Sequence, residues 1–103
     1  MKLCFLINPK SGKKKSLNIF KSIKPLLTEK KISFDSFETK YKGHAVDFIK
    51  GIDLKPYYGI IIIGGDGTFH EVVNGFMLRK DNIKIPIGII PGGSGNSFLY
   101  ELN

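Results

Sequence analysis

Four consecutive isoleucines, Ile60–Ile63, stand near the middle of the chain. They read as a strand buried on both faces, as in a parallel sheet. Behind them Phe69, Val72, Val73, Phe76 and Met77 recur at i, i+3, i+4, i+7 and i+8, one face of an amphipathic helix. The same pairing repeats along the sequence. Lys2–Ile7 (KLCFLI) is a first buried strand, followed by a helix carrying Leu17, Phe20, Ile23 and Leu27. Pro25 falls inside that helix and is expected to bend or break it, because proline offers no N–H and clashes with the preceding turn. Ile32–Thr39 reads as a second strand, and Ala45, Phe48, Ile49 and Ile52 as the face of a second helix. After the central pair, Lys80–Lys84 is a polar connection, Pro86–Ile90 a fourth strand, and Ser97–Leu102 the start of another helix. Strand followed by helix, four times over, predicts an α/β fold: a Rossmann-like parallel sheet with helices on both faces and right-handed crossovers.

Ligands of such sheets bind beyond the carboxyl ends of the strands. The loops of unusual composition fall there: Asn8–Gly12, Thr39–Gly43, Gly64–Thr68 and Gly92–Asn96. Together they predict one site. Gly64, Gly65 and Gly67 give a turn with little side-chain bulk, able to take positive φ and to approach a ligand closely. That turn opens a helix, whose N-terminal N–H groups and dipole favour anions. Asp66 is a carboxylate in the same turn, which makes chemical sense beside a metal ion or a proton in transfer. Gly92–Asn96 is a second glycine turn at the same rim.

Each feature has a plainer alternative. Glycines also mark tight strand-to-helix turns that bind nothing. Thr68 and Glu71 fit a capping box, S/T-x-x-E, in which the two side chains satisfy helix N–H groups. His70 lies off the apolar face, without a metal partner at suitable spacing. Thr39 and His44 say little individually, and a histidine at a helix start reads as a local hydrogen-bonding residue. Neither the GxxxxGK[ST] spacing nor GxGxxG is met.

Composition narrows the classes. A chain of 103 residues, 42% hydrophobic and 24% charged, fits one globular domain. Cys4 is the only cysteine, so no internal disulfide forms, and a reducing, cytoplasmic setting is expected. No apolar run reaches the roughly 18 residues of a membrane span. The formal charge is +7, from 16 Lys+Arg against 9 Asp+Glu, which suits a phosphorylated ligand or an anionic membrane surface. Solvated helix faces account for most of these lysines. Zinc spacing, aromatic–basic interleaving and recognition-helix patterns are missing, so nucleic acid is not an expected partner.

Taken in order, Asn8-Pro9-Lys10-Ser11-Gly12, Thr39-x-x-x-Gly43-His44-Ala45, GGDGTFHEVVNG and PGGSGN resemble the catalytic domain of the diacylglycerol and sphingosine (long-chain base) kinases. The likeness covers essentially the whole chain, and its ordered set of motifs is specific. Phosphofructokinases and NAD kinases share only the GGDG turn. The resemblance implies the N-terminal domain fold of NAD and diacylglycerol kinases, with ATP across the rim of the sheet. By position it implies nucleotide contacts from Asn8, Pro9, Lys10, Ser11 and Gly12, and from Thr39 and Gly43. It implies phosphate-side contacts from Gly64, Gly65, Gly67 and Thr68, a further contact from Glu71, and a last phosphate loop at Gly93, Ser94, Gly95 and Asn96. Asp66 matches the general base of sphingosine kinases, and in bacterial diacylglycerol kinases the aspartate near Mg2+.

The implied function is transfer of the γ-phosphate of ATP to a lipid hydroxyl, a sphingoid base favoured and diacylglycerol next, transiently at a membrane surface. Family members continue into a β-rich second domain that helps form the lipid pocket. Residues 1–103 are therefore expected to be the ATP-binding portion, with little activity alone and an apolar edge that favours association between copies. The rival readings are a fragment of an NAD or sugar kinase, and a non-catalytic nucleotide-binding module.

Overall fold

The computed structural model describes residues 2–10 and 15–91. The elements run β1 (Lys2–Ile7), α1 (Ser16–Glu29), β2 (Phe34–Glu38), α2 (His44–Gly51), β3 (Tyr57–Gly64), α3 (Asp66–Met77) and β4 (Ile87–Pro91). The strands form one parallel sheet in the order β2-β1-β3-β4. The expected α/β architecture, with helices on both faces, is what the chain adopts.

The two faces explain the continuous apolar runs. Leu3, Phe5 and Ile7 of β1 point to one side, with Ile63 and Ile90, and bury Ile19, Phe20, Ile23 and Leu27 of α1. Cys4 and Leu6 point to the other, with Ile60 and Ile62, against Ala45 and Ile49 of α2 and Val72 and Phe76 of α3. A strand covered on both faces has no polar side to show. Phe5, Phe20 and Phe34 close the α1 side, their ring centroids 5.3 to 5.9 Å apart. At the amino ends of the strands Asp35 accepts from the Tyr57 hydroxyl and pairs with Lys2 at 2.8 Å. The Lys2 ammonium first, then the Tyr57 hydroxyl, holds the Asp35 carboxyl below its ordinary range.

Two expectations fail. Helix α1 runs through Pro25 unbroken. Pro25 is exposed while Ile23 and Leu27, on either side of it, are fully buried. Lys21, whose carbonyl loses its i+4 partner, is an exposed residue like Pro25, and packing holds both halves. The apolar face of α3 is also turned from the predicted one. Its buried residues are Thr68, Val72, Gly75 and Phe76, while Phe69 and Val73 are half-buried and Met77 is 71% exposed. The inward row includes a glycine because α2 passes so close. A Cβ on Gly75 would lie 2.8 Å from Ile49 Cβ and 2.9 Å from the Val46 carbonyl oxygen.

Candidate functional site

The strand order fixes where a ligand fits. From β1 the chain moves one way to β2, and from β3 it moves the other way to β4. The crevice at such a switch point opens between the carboxyl ends of β1 and β3. The strand tips are level there: Ile7 pairs with Glu38 and with Ile63, and Gly64 with Pro91. Asn8 leaves β1 and donates from Nδ2 to Thr68 Oγ1 of α3 at 3.2 Å, bridging the crevice. Asn8 Oδ1 accepts from the Lys10 N–H at 3.1 Å and so shapes its own loop. Thr39, just past β2, is tied to the same rim by its N–H to the Ile7 carbonyl at 2.9 Å.

Above this rim lies a cleft of about 300 Å³ lined by Asn8, Lys10, Thr39, Lys40, Tyr41, Lys42, Thr68 and Glu71. Five of these, Asn8, Lys10, Thr39, Thr68 and Glu71, were expected from the sequence. The loop after β1, the Thr39–Gly43 loop and the first turns of α3 thus meet at this cleft, while Gly43, Gly65 and Gly67 are not among its lining residues. Three lysines against one carboxylate make the cleft a place for an anion. Pro9 lies between two of the lining residues, and Gly64 ends β3 at the rim. Asp66 is the first residue of α3, exposed at its N-terminus. It is not on the cleft wall. Ser11, Gly12, Gly93, Ser94, Gly95 and Asn96 lie outside the described residues.

The glycine turn differs from its expectation in a useful way. Gly65 is the N-cap of α3 with φ −109°, and Gly67 is inside the first turn. Among the described glycines only Gly43 has positive φ, +90° at the N-cap of α2. Among the described residues a Cβ on Gly65 or Gly67 would meet nothing within 4 Å. Neither positive φ nor contact with the described residues therefore calls for glycine at these two positions.

The capping-box alternative does not hold either. Helix α3 starts before Thr68, and its N-cap makes no side-chain hydrogen bond. Thr68 is buried and accepts from Asn8. Glu71 Oε1 accepts instead from the Ala45 N–H of α2 at 3.2 Å, supplying the negative charge that a helix N-terminus favours. The other end of α2 is held from the same direction. Arg79, 9% exposed, donates through Nη1 to the carbonyls of Ile49 at 2.7 Å and Ile52 at 2.6 Å. Its other nitrogens pair with Asp81 at 3.1 and 2.7 Å. Glu71, Gly75 and Arg79, spaced i, i+4 and i+8, thus grip the start, middle and end of α2, the helix that carries the Thr39–Gly43 loop. Hydrophobic periodicity cannot register a row of Glu, Gly and Arg. The one arginine among fifteen lysines was the available signal.

His44 has the local role expected of it. Its Nδ1 accepts from the Lys40 N–H at 2.9 Å. His70 is exposed, as expected. Among the described residues no group of three His, Cys, Asp or Glu side chains is placed to hold a metal ion.

A family profile described as the diacylglycerol kinase catalytic domain matches residues 2–103. Sphingosine kinase 2 of Arabidopsis thaliana is 41% identical over 105 residues, 98% of this chain and 22% of that protein. Human sphingosine kinase 1 is 40% identical over 102 residues, 95% of this chain and 27% of that protein. A crystal structure of a diacylglycerol kinase from Bacillus anthracis (strain Sterne) superposes with a TM-score of 0.64 at 28% identity, covering 89% of this chain and 33% of that one. The chain thus spans about a quarter of the length of the curated relatives.

Proposed function

The chain belongs to the diacylglycerol kinase catalytic-domain family, and from that premise we propose that its cleft holds the triphosphate of ATP for transfer of the γ-phosphoryl group to a lipid hydroxyl. The observation that carries the reading is the pair Gly65 and Gly67. Neither has positive φ, and a Cβ on either would meet nothing within 4 Å among the described residues, so their lack of a side chain suits a ligand that approaches the N-terminus of α3. Lys10, Lys40 and Lys42 on the facing walls suit a polyanion. Phosphoryl transfer asks little covalent chemistry of a protein: it needs positioned phosphates, neutralised charge and an oriented acceptor.

In the transfer the lipid oxygen forms a bond to the γ-phosphorus, the bond from phosphorus to the β–γ bridging oxygen breaks, and ADP leaves. The hydroxyl proton goes to a carboxylate, for which Asp66 is the candidate in this chain. The donor set also bears on magnesium. One exposed carboxylate at the rim does not make a protein cage, but it fits an ion held by one or two carboxylates together with phosphate oxygens. That role is the alternative to taking the proton: Asp66 would then hold such an ion, which when bound supplies neutralising charge, and the proton acceptor would be another group. Gly93–Asn96 is proposed as a second phosphate loop. It follows Pro91, which pairs with Gly64 at the rim.

The proposed acceptor is a sphingoid base before diacylglycerol, supported by the relatives named sphingosine kinase at about 40% identity. Work at a membrane surface from the cytoplasm is part of the same proposal. Among the described residues no helix is long and apolar enough to cross a membrane. Residues 1–103 are assigned the nucleotide side of the reaction only. Titration calorimetry of this chain with Mg·ATP tests the reading. Saturable binding that weakens in Lys10→Ala and Lys42→Ala is expected, and no heat at millimolar nucleotide would contradict it.

A further inference from the structure

Tyr41 projects from the cleft wall between two lysines and is 56% exposed. An exposed loop tyrosine ordinarily swings among rotamers, yet this one is fixed. Its ring lies face to face on the His44 imidazole, centroids 4.2 Å apart and planes 8° from parallel. Its hydroxyl donates to Asp47 Oδ2 at 3.0 Å. His44 is fixed in turn by the Lys40 N–H at 2.9 Å and by the edge contact of Phe37, centroids 5.0 Å apart. Phe37 stacks on Phe48 at 3.9 Å and 21°, and both pack against the buried cluster between the sheet and α2. Tyr41 is therefore the outer plate of a ladder of rings rooted in the core. One of its faces is covered by His44, and among the described residues no second ring stacks on it while it stays 56% exposed.

The stack on His44 and the Asp47 bond serve the start of α2, but the part of the ring kept in water buries no apolar surface for the fold. In a cleft whose lysines suit phosphates, that part suits a planar base. Stacking on an aromatic ring is tolerant of base identity, because every base has a π-face, and is worth roughly ten- to a hundredfold in affinity per base. The phosphates would then meet Lys10, Lys40 and Lys42 while the base meets the ring. We propose that Tyr41 is the platform on which the base of the bound nucleotide stacks, so that it sets the preference for a nucleotide over a bare polyphosphate. This rests on the reading of the cleft as the ATP site.

The test compares Mg·ATP with magnesium tripolyphosphate, which carries the charge without the base, by calorimetry on the full chain. Wild type is expected to bind ATP at least tenfold more tightly than tripolyphosphate. Tyr41→Ala should lose about tenfold for ATP and stay within twofold for tripolyphosphate. Tyr41→Phe, which keeps the ring and gives up only the Asp47 bond, should retain most of the ATP affinity. An ATP affinity unchanged in Tyr41→Ala would overturn the platform, as would an equal loss for both ligands. If wild type bound neither ligand, the ATP reading itself would fall and this inference with it.

Discussion

Replacing Gly75 by alanine puts a methyl group where α2 and α3 touch. The added carbon would sit 2.8 Å from Ile49 Cβ, 3.0 Å from Ile49 Cγ2 and 2.9 Å from the Val46 carbonyl oxygen. Carbon atoms prefer about 3.5–4.0 Å, so α2 must retreat by roughly 1 Å. That retreat is resisted at both ends, by Glu71 on the Ala45 N–H at 3.2 Å and by Arg79 on the Ile49 and Ile52 carbonyls. Overpacking of this kind costs about 1–3 kcal/mol, and a stretched hydrogen bond adds about 1 kcal/mol. Against this, alanine gains about 1 kcal/mol over glycine inside a helix. The net expectation is a loss of about 1–3 kcal/mol. At ~4–8 °C per kcal/mol for a domain of this size, Tm falls by roughly 4–24 °C. Gly67→Ala is the internal control. It lies in the same helix with nothing among the described residues within 4 Å of its Cβ position, so the propensity gain remains and Tm should rise. Thermal melts followed by far-UV circular dichroism, with urea midpoints, measure both. If Gly75→Ala stabilises as much as Gly67→Ala, the helices are not in close contact there.

Arg79→Met should destabilise by at least about 3 kcal/mol, since hydrogen bonds from a charged donor are worth about 1.5–3 kcal/mol each and two α2 carbonyls lose theirs. Arg79→Lys should recover only part, because one ammonium cannot reproduce the fork; equal urea midpoints for wild type and Arg79→Met would refute this. The Arg79 guanidinium, then the Ile83 N–H, holds the Asp81 carboxyl below its ordinary range. Its contribution is complete above the unfolded carboxylate value near ~4 and is lost as pH falls through the lower folded value. Wild type should therefore lose more stability than Asp81→Asn between neutral and acid pH, the two curves converging at low pH; curves that stay parallel would refute the pairing.

Most of the fold was legible because its core is written in large apolar side chains. The Ile60–Ile63 run, KLCFLI and the strand–helix rhythm dictate a parallel sheet covered on both faces, and glycine and polar loops at the strand ends place a site on one rim. What was hidden depends on groups that periodicity does not score. Pro25 looked like a break, but it and Lys21 are exposed residues while Ile23 and Leu27 anchor the turns around it. The face of α3 was misplaced because its inner row contains Thr68 and Gly75, whose burial reflects a hydrogen bond from Asn8 and the close passage of α2. Glu71 fitted a local capping pattern and instead caps a different helix. The lysines of the Thr39–Gly43 loop acquire meaning only when β2 is set beside β1, where they line one cleft with Asn8 and Thr68.

On the proposed function Gly65 and Gly67 are glycines for the sake of a triphosphate. Tm and Mg·ATP affinity of the double variant Gly65→Ala/Gly67→Ala decide this. A Tm near that of wild type is expected together with at least a tenfold loss of affinity. Undiminished affinity in a folded double variant would overturn it.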